Sequence, residues 1–261
     1  PILFPGVDIG CLAACGTIND LAVMGAEPLG LSLSLVIEEG FPIEDLHKLM
    51  ASIRRISEET GVPVATGDTK VMEKGKVDKI VINTSGVGHA PEALDKKVEK
   101  GDKVIISGSL GEHATALLSR RFDFETSIKS DSKPLLEEMR AVREHVKKAK
   151  DITRGGLAAV LNEMLDGYGI MLQEDAIPVK KEVAKACEML GLDIYTLACE
   201  GRLVCIASAG EAELVQEKLR AFNQDAAIIG EITGGKRIVM QTVIGKRILP
   251  EPRGRIVPRI C

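Results

Sequence analysis

The chain has 261 residues, enough for one large domain or two ordinary ones and for a core that needs no staples. With 3% aromatic residues and no Trp it offers few rings for base stacking, and a net charge of −4 leaves no basic footprint for nucleic acid. Its apolar runs are short and broken by Gly or charge, so no membrane-spanning helix is expected. Pro1-Ile2-Leu3-Phe4-Pro5 has no basic lead of the signal-peptide kind.

In chain order, small apolar residues over 11–24, stopped at Gly25 with Pro28 beyond, predict a buried helix. Asn19-Asp20 sits inside it. A buried carboxylate needs compensation, so Asp20 is expected to have a basic side chain or a metal ion beside it. Residues 31–37 read as a strand, and 45–60 as an amphipathic helix closed by Gly61. Strands follow at 62–66 and 79–87. Between them Gly67-Asp68-Thr69-Lys70 is expected as a turn at a strand end, where functional side chains converge. Asp68 and Thr69 are hard oxygen ligands suited to Mg²⁺ and Lys70 suits phosphate, though an ordinary Asp-bearing turn explains them equally.

A polar, lysine-rich stretch over 90–101 predicts the connection between two halves. The second half opens with a strand at 103–107. Gly108-Ser109-Leu110-Gly111-Glu112-His113 comes next, a second anion cradle or, more plainly, a βα turn, with His113 expected at the surface. Leu135, Met139, Val142, Val146 and Ala149 predict one helical stripe, with Lys147, Lys148 and Lys150 at its negative end. Asp151-Ile152-Thr153-Arg154-Gly155-Gly156 then leads into a helix over 157–165. Two glycines let main-chain N–H groups approach an anion at a helix start, Arg154 can fork onto phosphate, and Asp151 can hold a metal. An N-cap with a permissive turn is the plainer reading. Glu200-Gly201-Arg202 precedes a strand at 203–207, where a desolvated Glu200 would serve as a general base, although a Glu at a strand start is more commonly solvated. A helix near 211–222 and strands at 227–232 and 237–243 complete an α+β pattern in two similar halves.

Three Asp-bearing, glycine-flanked turns argue for a Mg²⁺–nucleotide site built from dispersed carboxylates. No Walker or G-x-G-x-x-G signature is present. Six cysteines, at 11, 15, 187, 199, 205 and 261, form no CxxC pair and suit a cytoplasmic protein with reduced thiols. The chain ends in an arm carrying Pro250, Pro252, Gly254 and Pro258, unsuited to helix or ladder, with the thiol of Cys261 at its tip. A stiff, mobile arm bearing a terminal thiol fits a carrier role as well as it fits a frayed end.

These segments resemble the HypE family of hydrogenase maturation proteins, in the superfamily of aminoimidazole ribonucleotide synthetase and selenophosphate synthetase. The resemblance rests on Cys15-Gly16-Thr17-Ile18-Asn19-Asp20 with Gly25-Ala26, on Thr66-Gly67-Asp68-Thr69-Lys70, on Asp151 to Gly156, and on the terminal Pro258-Arg259-Ile260-Cys261. It runs from Phe4-Pro5-Gly6 to the last residue, and the sister families lack the terminal motif. What it implies is an α+β chain with two aminoimidazole ribonucleotide synthetase-like domains, mixed sheets with helices packed on one face, and a flexible tail. An ATP/Mg-binding and dimerisation domain would span 1–95, a second αβ domain 96–247, and the tail 248–261.

The activity the resemblance implies is ATP-dependent dehydration of an S-carbamoyl group on Cys261 to a thiocyanate, the source of cyanide for iron in [NiFe]-hydrogenase. The implied partners are a HypF carbamoyltransferase, the HypC–HypD complex and a second copy of the chain. By motif, Asn19, Asp20, Asp68 and Asp151 would hold Mg²⁺ and the nucleotide, with Asp20, Asp68 and Asp151 as metal ligands. Thr69 and Thr153 lie in the same nucleotide-binding segments. Lys70, Arg154 and the Gly155 and Gly156 amides would contact phosphates, Glu200 would accept a proton, and His113 matches a glycine–histidine turn. Ala114 stands where glycine is usual and Cys199 where a polar residue is expected. The family's glycine-rich leader and a further Asp-bearing strand would precede the Phe4-Pro5-Gly6 stretch. Selenophosphate or small-molecule phosphotransfer in the same superfamily, or a scaffold with a docking tail, are the alternative readings.

Overall fold

The structure is a computed structural model and describes residues 1–164 and 167–252. Cys261, most of the expected tail, and residue 165 of the helix expected over 157–165 lie outside the described residues.

A short hairpin, β1 (Leu3–Phe4) and β2 (Val7–Asp8), leads into α1 (Ile9–Val23). Asp8 caps α1, its carboxylate accepting the Cys11 N–H at 2.9 Å. The helix lacks a polar face because it is covered on several sides. It packs on β3 (Glu27–Glu38), α2 (Ile43–Thr60) and β5 (Ile80–His89), and also reaches the second half. Where α1 crosses α2, a Cβ on Gly10 would stand 2.4 Å from the Leu49 carbonyl oxygen, so the backbones meet directly.

With β4 (Val64–Met72) these strands form a sheet ordered β4-β3-β5, parallel between β3 and β4 and antiparallel between β3 and β5. Leu31, Leu33, Leu35 and Ile37 alternate onto the face under the helices and are buried. The opposite face exposes Val81 and Val87 on β5.

The second half holds a seven-stranded sheet. Its strands are β6 (Lys103–Ile106), β7 (Val146–Asp151), β8 (Gly169–Gln173), β9 (Leu203–Ala207), β10 (Ala227–Thr233), β11 (Ile238–Thr242) and β12 (Gly245–Ile248), ordered β12-β11-β8-β10-β6-β9-β7. Pairing is antiparallel except between β8 and β11. Its helices are α3 (Glu112–Phe122), α4 (Leu136–Val142), α5 (Gly156–Met164), α6 (Lys181–Leu190) and α7 (Ala212–Arg220). Every residue of β9 is buried. Leu203, Cys205 and Ala207 join the core that includes α1, while Val204 and Ile206 join a second core with α5. Helices on one face thus describes the small sheet, whereas the central strands of the large one are covered on both sides.

Three expectations need correction. The stripe from Leu135 to Ala149 is not one helix: α4 ends at Val142 and β7 begins at Val146. A register shift between Val146 and Lys148 sets Val146 opposite Ala207 and Ala149 opposite Cys205, so that bulged strand mimics helical spacing. Lys147 and Lys148 consequently meet acids of the connecting segment, Asp102 at 2.8 Å and Asp95 at 2.8 Å, instead of a helix end.

The segment Gly67-Asp68-Thr69-Lys70 is not a turn but the middle of β4, paired with Leu33 to Val36 of β3. Its glycine serves close strand contact, since a Cβ on Gly67 would lie 2.7 Å from the Leu33 carbonyl oxygen. Finally, Ile248 still belongs to β12 and Leu249 is buried, bonded to the Ile238 carbonyl, so packed structure extends into the segment expected as tail.

Candidate active site

β7 ends at Asp151, and the next residues turn into α5. Gly155 and Gly156 have φ of +85° and +62°, the left-handed region that favours glycine. A Cβ on Gly156 would stand 2.6 Å from the carbonyl oxygens of Tyr195 and Leu197, so no side chain fits. Thr153 accepts the Gly156 N–H through its carbonyl at 3.0 Å. Arg154 and the start of a nine-residue helix therefore sit directly after a buried carboxylate.

Asp151 is pushed up to about 6, first by burial and then by the charge of Asp20. Asp20 is not buried as expected: it reaches the surface from α1, yet partial desolvation still raises it, against the lowering effect of Lys150. Lys150 is itself ion-paired with Glu163. Glu200, in the loop before β9, is pushed up to about 8 by burial, then by Asp131, Asp151 and Asp20, with Arg154 opposing. Asp20, Asp151 and Glu200, drawn from three separate segments, thus form one electrostatic group.

The other expected residues fall elsewhere. Asn19 is buried and its amide is spent on main chain: Nδ2 donates to the Lys133 and Glu200 carbonyls at 3.1 and 3.4 Å, and Oδ1 accepts the Leu135 N–H at 2.7 Å. Asp68 and Lys70 stand exposed on the outer face of the small sheet, opposite the face that α1 covers, and Thr69 is exposed beside them. Within one chain they do not join Asp20 and Asp151. His113 is not a surface residue but fully buried at the start of α3. Its Nδ1 pairs with Ser130 Oγ at 2.7 Å and its ring meets Phe4 edge-on at 5.4 Å. Burial pushes it down to about 3, so it is neutral.

Comparison with known proteins decides the family. Residues 1–90 match AIR synthase related protein, N-terminal domain, and residues 99–243 match AIR synthase related protein, C-terminal domain. A putative hydrogenase expression/formation protein of Methanocaldococcus jannaschii is 47% identical, covering all of this chain and 81% of that protein. The carbamoyl dehydratase HypE of Rhizobium leguminosarum bv. viciae is 44% identical, covering all of this chain and 79% of its own. The crystal structure of a HypE in complex with ATP superposes with a TM-score of 0.95 at 37% identity, over 100% of this chain and 84% of that one. That of a HypE–HypF complex superposes at 0.92 and 43% identity, over 97% and 87%.

The chain belongs to the HypE family. It is therefore a hydrogenase maturation protein of the AIR synthase superfamily, with the two-domain α+β fold of HypE crystal structures. Two departures from the HypE pattern now have a physical account. Cys199 is buried and its sulfur accepts the Gly111 N–H at 3.2 Å, serving the start of α3. Ala114 is buried in a small cluster with Val183, Cys187 and Leu197, which its methyl helps fill.

Reading the sequence alone missed Asp131, Arg202, Glu112 and Lys180. Arg202 is buried and donates to Glu112 at 2.7 Å, with its Nε 3.6 Å from Asp131; Lys180 pairs with the other Glu112 oxygen. These four residues line a cavity of about 620 Å³. Glu112 and Arg202 lay inside quoted motifs, but nothing in the sequence around Asp131 marks it. Among the described residues no three Cys, His, Asp or Glu side chains are close enough to hold a metal unaided. Asp20 and Asp151 nevertheless fit a Mg²⁺ whose other ligands are phosphate oxygens and water, since two repelling carboxylates are what such an ion relieves.

Proposed function

We propose that this chain carries a carbamoyl group on Cys261 and uses ATP to dehydrate it to a thiocyanate, with Glu200 as proton acceptor. The carboxamide oxygen attacks the γ-phosphorus and ADP leaves. The nitrogen then loses its protons as the C–O bond to phosphate breaks, giving S–C≡N and inorganic phosphate. Arg154 and the amide of Gly155 would cradle phosphate oxygens at the start of α5, with Thr153 beside them, while the Gly156 amide is spent on the Thr153 carbonyl. Asp20 and Asp151 would hold Mg²⁺, which neutralises charge on the transferring phosphoryl group. Asp68, Thr69 and Lys70 would act from the outer face of the small sheet, where a second copy of the chain would pack. His113, neutral and enclosed, would support the Ser130 loop.

The observation that carries this reading is a desolvated carboxyl, Glu200, raised to about 8 so that it titrates close to neutral pH and accepts a proton in its ionised fraction, beside a glycine turn and two carboxylates in a HypE chain. In this reading residues 1–95 bind the nucleotide and dimerise, 96–247 supply Asp151 and Glu200, and 248–261 deliver the thiol. The ATP bound by one HypE and the HypF bound by another support ATP and a HypF-like carbamoyltransferase as ligand and partner here. The HypC–HypD complex would take the cyanide, in the cytoplasm. No helix among the described residues is long and apolar enough to cross a membrane.

Mass spectrometry of the C-terminal peptide tests the proposal, after incubation with the carbamoyltransferase, carbamoyl phosphate and Mg²⁺-ATP. A carbamoyl gain on Cys261, followed by loss of one water only with ATP, is expected. Unmodified Cys261, or water loss in Cys261→Ala, would overturn it.

A further inference from the structure

Asn19 belongs to α1 in the first half and Glu200 to a loop in the second, yet one joins the other. The Asn19 amide donates to the Glu200 and Lys133 carbonyls and accepts from the Leu135 N–H, which commits both its hydrogens and its acceptor. From the other side the Glu200 N–H reaches Asp131 Oδ1 at 3.2 Å, and Arg202 Nη1 donates to the Gly201 carbonyl at 2.9 Å. The two loops touch so closely that a Cβ on Gly201 would fall 1.8 Å from the Asp131 carbonyl oxygen. Side chains therefore hold the peptide groups on both sides of the Glu200 Cα, Asp131 at its N–H and Asn19 at its C=O. The direction of its Cα–Cβ bond is set by those two planes.

We infer that Asn19 and Asp131 are positioning residues that aim the Glu200 carboxyl at the reacting group, Asn19 acting through the backbone rather than as a nucleotide ligand. The inference rests on the proton-acceptor role proposed for Glu200. It separates Asn19 from Asp20, its neighbour in the same motif, which points outward and keeps the metal role. A reaction whose geometry is held this way is sensitive to displacement, since a shift of about 1 Å at a catalytic group can cost about 100-fold in rate.

The test uses the full chain with Cys261 carbamoylated and follows a single turnover to thiocyanate at saturating Mg²⁺-ATP, alongside equilibrium ATP binding and thermal melting. Asn19→Ala should slow turnover by about 10- to 100-fold while ATP affinity stays within about two-fold. Asp131→Ala should do the same, and Asp131→Asn, which keeps an oxygen for the Glu200 N–H, should recover part of the rate. Wild-type turnover in Asn19→Ala with ATP affinity down about 10-fold would make Asn19 a nucleotide ligand and overturn the inference. A lowered melting temperature with turnover and affinity unchanged would make it a domain tie only, and would also overturn it. Should Asn19→Ala not fold, equal rates in Asp131→Ala and wild type decide against the proposal. Glu200→Gln separates the two levels. Full turnover in Glu200→Gln defeats the proton-acceptor reading itself, whereas an inactive Glu200→Gln beside an unimpaired Asn19→Ala and Asp131→Ala defeats the positioning alone.

Discussion

Gly67-Asp68 and Asp151 with Gly155-Gly156 look alike in sequence, each a carboxylate near glycine after a strand, and the structure makes them opposites. Asp68 is exposed in the middle of an edge strand, whereas Asp151 is buried at a strand end and pushed up to about 6. The difference lies in what the glycine does. Gly67 admits the Leu33 carbonyl to a neighbouring strand, and the chain stays extended. Gly155 and Gly156 adopt positive φ, and the chain leaves the sheet to begin α5. A glycine that relieves contact keeps an acid on a surface; a glycine that turns the chain leaves the acid buried at the strand's end.

The largest effect should come from removing that turn. Gly156→Ala places a methyl 2.6 Å from two main-chain oxygens at a φ of +62°, and neither neighbour is a flexible side-chain end. A loss of about 3 kcal/mol in urea unfolding is expected. Gly67→Ala, with one main-chain contact at 2.7 Å on an edge strand and no positive φ, should cost about 1 kcal/mol, its overpacking partly offset by the entropy that a strand glycine loses. Equal losses would mean that the two glycines do the same work and would remove the contrast.

Glu200 gives the next effect. Its ordinary value of 4.5 is raised to about 8, so the folded chain holds a proton that the unfolded chain releases between those values. Stability should therefore fall as pH rises from about 4.5 to about 8, then level off. Glu200→Gln removes that slope. It should be neutral near pH 4 and stabilising by about 2 to 5 kcal/mol at pH 9, while abolishing turnover. A parallel pH–stability curve for the variant would show that Glu200 ionises freely.

Much of the fold was legible because its signals are local. Gly61 closes α2 with a φ of +69°, and alternating Leu31, Leu33, Leu35 and Ile37 mark β3. Where reading failed, one local pattern had two physical causes. Val146 and Ala149 have helical spacing through a strand bulge, and Gly67 reads as a turn although it marks strand contact. Of the expected site residues, Asp20, Asp151 and Glu200 come together in one electrostatic group, and Gly155 and Gly156 take the positive φ that their residue type allows. Asp131 was invisible because its role depends on residues 69 and 71 positions away, the Glu200 N–H and Arg202. Asn19 was visible, but burial turned its amide from a ligand donor into a main-chain clip.

The smallest effect separates the two acids themselves. Asp151 is held protonated more easily than a free carboxyl by burial and by Asp20, so Asp151→Asn should stabilise the nucleotide-free chain by about 1 to 3 kcal/mol at pH 8 and by under about 1 kcal/mol at pH 4. Asp68 is exposed, and Asp68→Asn should stay within about 0.5 kcal/mol of wild type at both pH values. Adding Mg²⁺-ATP should reverse the order for Asp151, because a cation relieves the repulsion that made the carboxylate costly. Protection by Mg²⁺-ATP that is unchanged in Asp151→Asn would place the ion elsewhere. Protection lost in Asp68→Asn as well would require the outer face of the small sheet to reach the nucleotide, which one chain alone does not allow and a second copy would.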